Sequence, residues 1–246
     1  MAERAAIVTG ASSGIGKAIA EMLASEGYGL TIASRRADRI EAAADALQAA
    51  GAEVEHLPAN MASEEDIKAV VERHRARFGR LDVLVNNAGV GMGAPVSEIS
   101  TKRLDAQLDV NIRSIVLFYR ECVSMLREAG AEHGHAVVIN TASVAGKRGQ
   151  GWLSVYSATK FAVVGFTEAM NKELSTEGIK SCALCPGFVD TAMTDFIKES
   201  VEPSSMIQPS DIAEAVRYVL KTSPGCLIPE IVFNRPGLGK LVVGAL

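Results

Sequence analysis

Residues 5 to 23 carry the pattern that most restricts this chain. Ala5-Ala6-Ile7-Val8-Thr9 is a short apolar run, and Gly10-Ala11-Ser12-Ser13-Gly14-Ile15-Gly16 is a glycine-rich turn. After it, Ile15, Ile19, Met22 and Leu23 recur at helical spacing. The order is strand, tight turn, helix. Glycines let the backbone approach a phosphate, and a helix N-terminus offers free N–H groups and positive potential to an anion. The spacing is G-x-x-x-G-x-G rather than the common G-x-G-x-x-G dinucleotide fingerprint. Taken alone, the turn leaves its ligand open.

The pattern repeats along the chain. Apolar runs at 28–33, 54–57, 81–85, 137–140, 179–184 and 231–233 predict six further strands. Helices are predicted at 38–50, from Ser63 to about Phe78, over 101–128 as one long stretch, from Tyr156 to about Thr176, and at 210–221. Ser63-Glu64-Glu65-Asp66 resembles a capping box. Alternating strands and helices imply a mostly parallel sheet of seven strands with helices on both faces. Right-handed crossovers make it a doubly wound, Rossmann-type α/β fold. No repeat or linker divides the 246 residues, so 1–246 reads as a single domain. Ligands of such folds bind beyond the carboxyl ends of the strands.

The net charge of −4 comes without a long block of like charge, which argues against nucleic acid as the main partner. No apolar run approaches the roughly 20 residues of a membrane span. The first strand leaves no room for a signal peptide ahead of it, so the expectation is a cytoplasmic chain. Cys182-Ala-Leu-Cys185 matches C-x-x-C but falls in a predicted strand, where residues three apart point to opposite faces. Its thiols should diverge, which opposes a dithiol redox function. His56, His74, His133 and His135 show no metal-ligand spacing, so no metal site is expected.

Tyr156 and Lys160 stand four apart in a predicted helix and so share one face. A neighbouring ammonium favours the phenolate, which predicts a tyrosine pKa below its usual value of about 10. Such a pair serves as a general acid/base. A hydroxyl such as Ser143 can stabilise charge developing on a carbonyl oxygen, or simply cap a turn. Asn111, a poor helix former inside a helical stretch, could equally satisfy a backbone kink.

With these residues in order, the chain resembles the short-chain dehydrogenase/reductase family over nearly its whole length. Thr9 to Gly16 (TGASSGIG) is similar to the family's cofactor turn, and Asn86 to Gly89 (NNAG) to its sheet-stabilising motif. Asn111, Ser143, Tyr156 and Lys160 fall where its catalytic tetrad falls, with Ser143 thirteen residues before Tyr156. Pro186-Gly187 matches its turn beneath the nicotinamide. The resemblance implies hydride transfer between NADP(H) and a small carbonyl or alcohol substrate. Tyr156 would be the general acid/base, Lys160 would also bond the nicotinamide ribose, and Asn111 would bind a water that links Lys160 to solvent. It places cofactor contacts at Gly10, Ser12, Ser13, Gly14, Ile15, Gly16, Ser34, Arg35, Arg36, Asn60, Met61, Asn87, Ala88, Gly89, Tyr156, Lys160, Pro186, Gly187, Val189 and Thr191. It also implies a homo-oligomer, a tetramer. The apolar tail Leu241-Val242-Val243-Gly244-Ala245-Leu246 and the apolar long helices give that a physical motive.

The second strand ends at Ser34 and is followed by Arg35 and Arg36, with no acid before Asp38. An NAD-specific site would place Asp or Glu there. Guanidinium groups instead grip a 2′-phosphate, which favours NADP(H). Which arginine makes the main contact stays open. An NAD(H)-dependent alcohol dehydrogenase of the same family, and a non-catalytic NADP(H)-sensing regulator, are the alternatives. Asn60 stands where the family often has Asp, and the ending differs from the T-G-Q and D-G-G pattern of many members. The segment 187–209 is expected to lie over the pocket and to order on binding. Val189, Met193, Phe196, Ile197 and Met206 would form an apolar wall, with Trp152 and Leu153 adding to it, or would equally pack on a neighbouring subunit.

Overall fold

The computed structural model describes residues 2–198 and 201–236. The apolar tail at 241–246 lies outside the described residues. Seven strands are formed: β1 (Ala5–Thr9), β2 (Gly29–Ser34), β3 (Val54–Pro58), β4 (Val83–Asn86), β5 (Ala136–Thr141), β6 (Ile179–Pro186) and β7 (Glu230–Phe233). They make one sheet in the order β3-β2-β1-β4-β5-β6-β7, with every neighbouring pair parallel. The chain winds outward from β1 in one direction and from β4 in the other. The crevice between those two strands is the topological switch point.

The period of two along each strand decides which layer a residue enters. Ala6 and Val8 of β1 join a core with Ile19 and Leu23 of α1 (Gly14–Ser25), Ile40 of α2 (Ala37–Ala49) and Val216 of α7 (Pro209–Lys221). Ile7 between them joins the opposite core. Its partners there are Ile67 of α3 (Glu64–Phe78), Phe118 of α5 (Ser114–His133) and Val163 of α6 (Ser154–Leu174). The sheet is covered on both faces by the doubly wound layers the sequence predicts. Cys182 enters the first core and Cys185 the second, so the two thiols diverge. Burial pushes their pKa values up to about 12 and about 11.

Two local features depart from expectation. Ser63 caps α3 by accepting from the Asp66 N–H at 3.2 Å. The Asp66 carboxylate does not complete the box but accepts from the Asn60 N–H at 2.7 Å, tying down the turn after β3. The long helix expected at 101–128 is broken. α4 (Thr101–Leu108) passes into a π-helical turn, Asp109–Arg113, before α5 carries on to His133. A π turn holds one extra residue and is common at functional sites. Here it presents Asn111 to the neighbouring loop.

His74 of α3 is fully buried. Its Nε2 meets the Arg80 carbonyl at 2.8 Å, and its Nδ1 meets the Thr31 hydroxyl at 2.8 Å. A carbonyl only accepts, so Nε2 carries the proton and Nδ1 accepts from Thr31. Burial lowers the His74 pKa from 6.5 to about 4. The unfolded chain therefore binds a proton near pH 6.5 that the folded chain refuses until about pH 4. Stability from this residue is complete above pH 6.5 and falls as pH drops through that window. Between pH 7 and pH 5 the loss is about 2 kcal/mol. Urea midpoints at those two pH values check this, and equal midpoints would contradict it.

Candidate active site

The glycine turn after β1 is shaped by close approach. Gly10 and Gly14 adopt φ of 67° and 56°, a region that side chains disfavour. A Cβ on Gly16 would stand 2.4 Å from Asn87 Nδ2 and 2.5 Å from the Gly10 carbonyl oxygen, so only glycine lets α1 start there. Ser13, at the N-cap of α1, makes no capping bond with its side chain, and no acid sits in the first turn. The N-terminus thus keeps donors and positive potential directed beyond the strand ends. Thr9 and the NNAG segment buttress the turn. The Thr9 hydroxyl accepts from the N–H groups of Asn87 and Ala88, each at 3.0 Å. The Asn87 amide donates to the Thr9 carbonyl at 3.1 Å. Asn86 donates to Asn140 Oδ1 at 2.9 Å, linking β4 to β5.

At the end of β2 the Ser34 hydroxyl is buried and has no hydrogen-bond partner among the described residues. A buried hydroxyl left unpaired is costly, which marks the spot as one a ligand would complete. The two arginines beside it differ. Arg36 forks onto Asp38 through Nε at 3.2 Å and Nη2 at 2.7 Å. The Arg35 side chain is exposed and makes no ion pair among the described residues. Asn60 is exposed, and its Oδ1 accepts from the Ala62 N–H at 3.2 Å, leaving a second lone pair. Met61 is buried beneath it. A glycine cradle, an uncapped helix start, an orphaned hydroxyl and an uncommitted guanidinium together fit a phosphorylated dinucleotide.

The four polar residues singled out in the sequence converge beyond β4, β5 and β6. Lys160 is only 3% exposed, and its ammonium donates to the Thr141 carbonyl at 2.7 Å. Its Nζ lies 5.6 Å from the centre of the Tyr156 ring. A Cβ on Gly89 would stand 3.5 Å from both Lys160 Nζ and Asn111 Oδ1, so these three residues are neighbours. Asn111 clamps the loop after β4: Nδ2 donates to the Val90 carbonyl at 2.9 Å, and Oδ1 accepts from the Val90 N–H at 2.8 Å. Nδ2 also donates to Thr159 Oγ1 at 3.0 Å. That uses both amide protons and leaves one lone pair on Oδ1 for another donor. Ser143 does cap a turn, accepting from the Ala145 N–H at 3.1 Å. Its hydroxyl donates to the Pro186 carbonyl at 3.3 Å and also lies beside the Tyr156 phenol.

One electrostatic expectation is overturned. The Tyr156 pKa is raised, not lowered, because burial penalises the phenolate more than the Ser143 hydroxyl favours it. Lys160 does not offset it. Its ammonium bonds to Thr141 rather than to the phenolic oxygen, and burial brings its own pKa down to about 8. At neutral pH the site therefore holds a protonated phenol, the form needed to give a proton away.

The segment after β6 lies over the turn and the phenol. Thr191 Cγ2 stands 3.0 Å from a Cβ built on Gly14, and Met193 Sδ stands 4.0 Å from one on Gly91. Short 3-10 turns at Ala192–Ile197 and Pro203–Ser205 shape it, and Val189 pairs with Ile207. The expected apolar wall is mostly not there. Val189 packs into the core of α1, α2 and α7, while Ile197 and Met206 form a small cluster of their own with Val201. Met193 is half exposed, and the Phe196 side chain lies outside the described residues. Pro186 is buried at the end of β6, and the Gly187 N–H donates to the Phe233 carbonyl at 2.9 Å.

Sequence reasoning missed several participants. Thr159 links Asn111 to the Tyr156 carbonyl, to which its hydroxyl donates at 2.7 Å. Gln107, buried and four residues before Asn111, accepts from the Met92 N–H at 3.2 Å. Two amides at i, i+4 on one helical face were the available signal. At the amino ends of the strands an open groove of about 470 Å³ is bounded by Arg4, Glu26, Tyr28, Arg217 and Lys221. Glu26 there pairs with Arg217 and Lys221, and none of the groups described above reaches it.

A doubly wound parallel sheet that gathers these groups beyond the carboxyl ends of its strands is a Rossmann-type fold. The chain belongs to the short chain dehydrogenase family, whose pattern residues 4–202 match. It is 33% identical over 231 residues to an uncharacterised oxidoreductase of Staphylococcus aureus (strain MRSA252), covering 94% of this chain and 96% of that protein. Among solved structures it is similar to a variant of actinorhodin polyketide ketoreductase with NADPH. The TM-score is 0.86 and the identity 31%, over 98% of this chain and 100% of that one. A 3-ketoacyl-(acyl-carrier-protein) reductase from Brucella melitensis, complexed with NADH, gives a TM-score of 0.85 and 28% identity, over 94% and 96% of the two chains. Among the described residues no helix is long and apolar enough to cross a membrane.

Proposed function

We propose that this chain is an NADP(H)-dependent carbonyl reductase, or the reverse alcohol dehydrogenase, with Tyr156 as general acid/base. The observation that carries this reading is the placement of the Tyr156 phenol beside the Ser143 hydroxyl, one helical turn from a buried Lys160 whose Nζ lies 5.6 Å from the ring centre. The nicotinamide, when bound, supplies or takes up the hydride. A carbonyl oxygen gaining negative charge would accept from Ser143 and take its proton from Tyr156. Lys160 would hold the ribose hydroxyls, exchanging its Thr141 contact for theirs or sharing it. Asn111 would keep Val90 and Thr159 in register around the proton path. The helix α1 N-terminus and the Gly10–Gly16 turn would hold the pyrophosphate, with Ser34 and Arg35 at the adenosine ribose. Because Arg36 is already tied to Asp38, Arg35 is the better candidate for the 2′-phosphate. The direct test is a panel of aldehydes and ketones with NADPH and NADH. NADPH oxidation with at least one carbonyl supports the reading, and no turnover with either cofactor across the panel contradicts it.

The same reading includes a homo-oligomer, a tetramer by family likeness. Leu108, Val116 and Phe161 on α4, α5 and α6 each leave about two fifths or more of their surface exposed. Exposed apolar side chains of this kind suit contact with a second copy. Light scattering at micromolar concentration should give a multiple of 25.9 kDa, and a monomer mass would contradict it.

A further inference from the structure

Trp152 is the one non-glycine residue with positive φ among the described residues, at 63°. Bulky side chains avoid this region because Cβ crowds the backbone. Two contacts hold the residue there. The Ala94 N–H donates to the Trp152 carbonyl at 2.8 Å. The indole lies so close over Gly93 that a Cβ there would stand 2.3 Å from its Cε3 and Cζ3. Two residues earlier, a Cβ on Gly91 would stand 3.6 Å from Tyr156 Cε2 and 4.0 Å from Met193 Sδ. The strip Gly91-Met92-Gly93 therefore joins three side chains: the indole, the phenol and the thioether. Trp152 is 49% exposed and Met193 50% exposed, and neither belongs to a core cluster among the described residues. Backbone strain retained beside a reactive group, by a side chain that adds nothing to the core, points to a ligand contact.

We propose that Trp152 determines specificity. Its open indole face, with Met193, is the wall on which the non-reacting substituent of the substrate rests, and the substrate class is carbonyls bearing an aromatic or bulky apolar group. This rests on the role proposed for Tyr156. An aromatic substituent gains from burial and from offset or edge contact with the indole, whereas a short aliphatic one gains little of either. Met193 adds a polarisable sulfur that suits aromatic edges.

The chain has a single tryptophan, so its emission reports on this wall alone. The NADP+-loaded protein is titrated with acetophenone and with propanal, following Trp152 fluorescence. Acetophenone should give a saturable change, and propanal should bind about tenfold more weakly or worse. Trp152→Gly accepts positive φ without strain and should melt no lower than wild type. By calorimetry it should lose about tenfold in acetophenone affinity relative to propanal, and Trp152→Phe should restore most of that loss. Unchanged emission, equal losses for the two carbonyls, or a Trp152→Gly protein that melts well below wild type would each overturn the inference. The emission titration does not depend on turnover. Activity that survived in Tyr156→Phe would therefore overturn the proposed mechanism without deciding the wall.

Discussion

Tyr156→Phe should lose about 10²–10⁴-fold in turnover while keeping its fold and nearly all its cofactor affinity. The phenol ring is half-buried in the cleft, and the hydroxyl is the only atom group the substitution removes. The ring edge would still pack against Gly91, and α6 would be undisturbed. What disappears is the proton donor that burial keeps loaded at neutral pH. Ser143 and the bound cofactor would still orient a carbonyl, which sets the residual rate above zero. Steady-state kinetics with one carbonyl accepted by both proteins checks this. Comparable rates would remove Tyr156 from the mechanism.

Replacing both Arg35 and Arg36 by alanine should cost on the order of 10²-fold in NADPH affinity and barely change that for NADH. Both side chains are exposed at the end of β2, next to a buried hydroxyl that lacks a partner among the described residues. The two single variants should differ. Arg35→Ala removes a guanidinium with no other ion pair among the described residues. Arg36→Ala removes one that Asp38 already holds, and so should cost less. Equal losses for the two cofactors would show that these arginines do not read the 2′-phosphate. A larger loss from Arg36→Ala would reverse their assignment.

Features that depend on local order were legible in the sequence. Short apolar runs between helical periods dictated the parallel sheet, and the residues at strand ends marked its working edge. Tyr156 and Lys160 could be paired from spacing alone because a helix turn brings i and i+4 together. What escaped detection depends on partners far away in the chain. The π turn at Asp109–Arg113 is stabilised through Asn111 by Val90, and nothing in residues 101–128 reveals that partner. The sign of the Tyr156 shift turned on burial and on Lys160 bonding to Thr141, neither of which spacing reports. Ile197 and Met206 looked like a substrate wall because apolar composition does not say which neighbour an apolar group will choose; they chose Val201. The pose of Trp152 needs Gly93 and Ala94, some sixty residues earlier. The tie between Arg36 and Asp38 was nearest to being readable, two residues apart, yet the carboxylate could also have faced solvent.

The most direct test of the central claim follows the hydride itself. NADPH deuterated at C4 of the nicotinamide, separately on each face, is incubated with the protein and a carbonyl it accepts. Mass spectrometry then locates the label in the alcohol. Deuterium is expected on the carbinol carbon from one face only, in stoichiometric step with NADPH consumed, with label transfer slowed about 10²–10⁴-fold in Tyr156→Phe. Alcohol without label from either face, or label transferred as fast in Tyr156→Phe as in wild type, would contradict it.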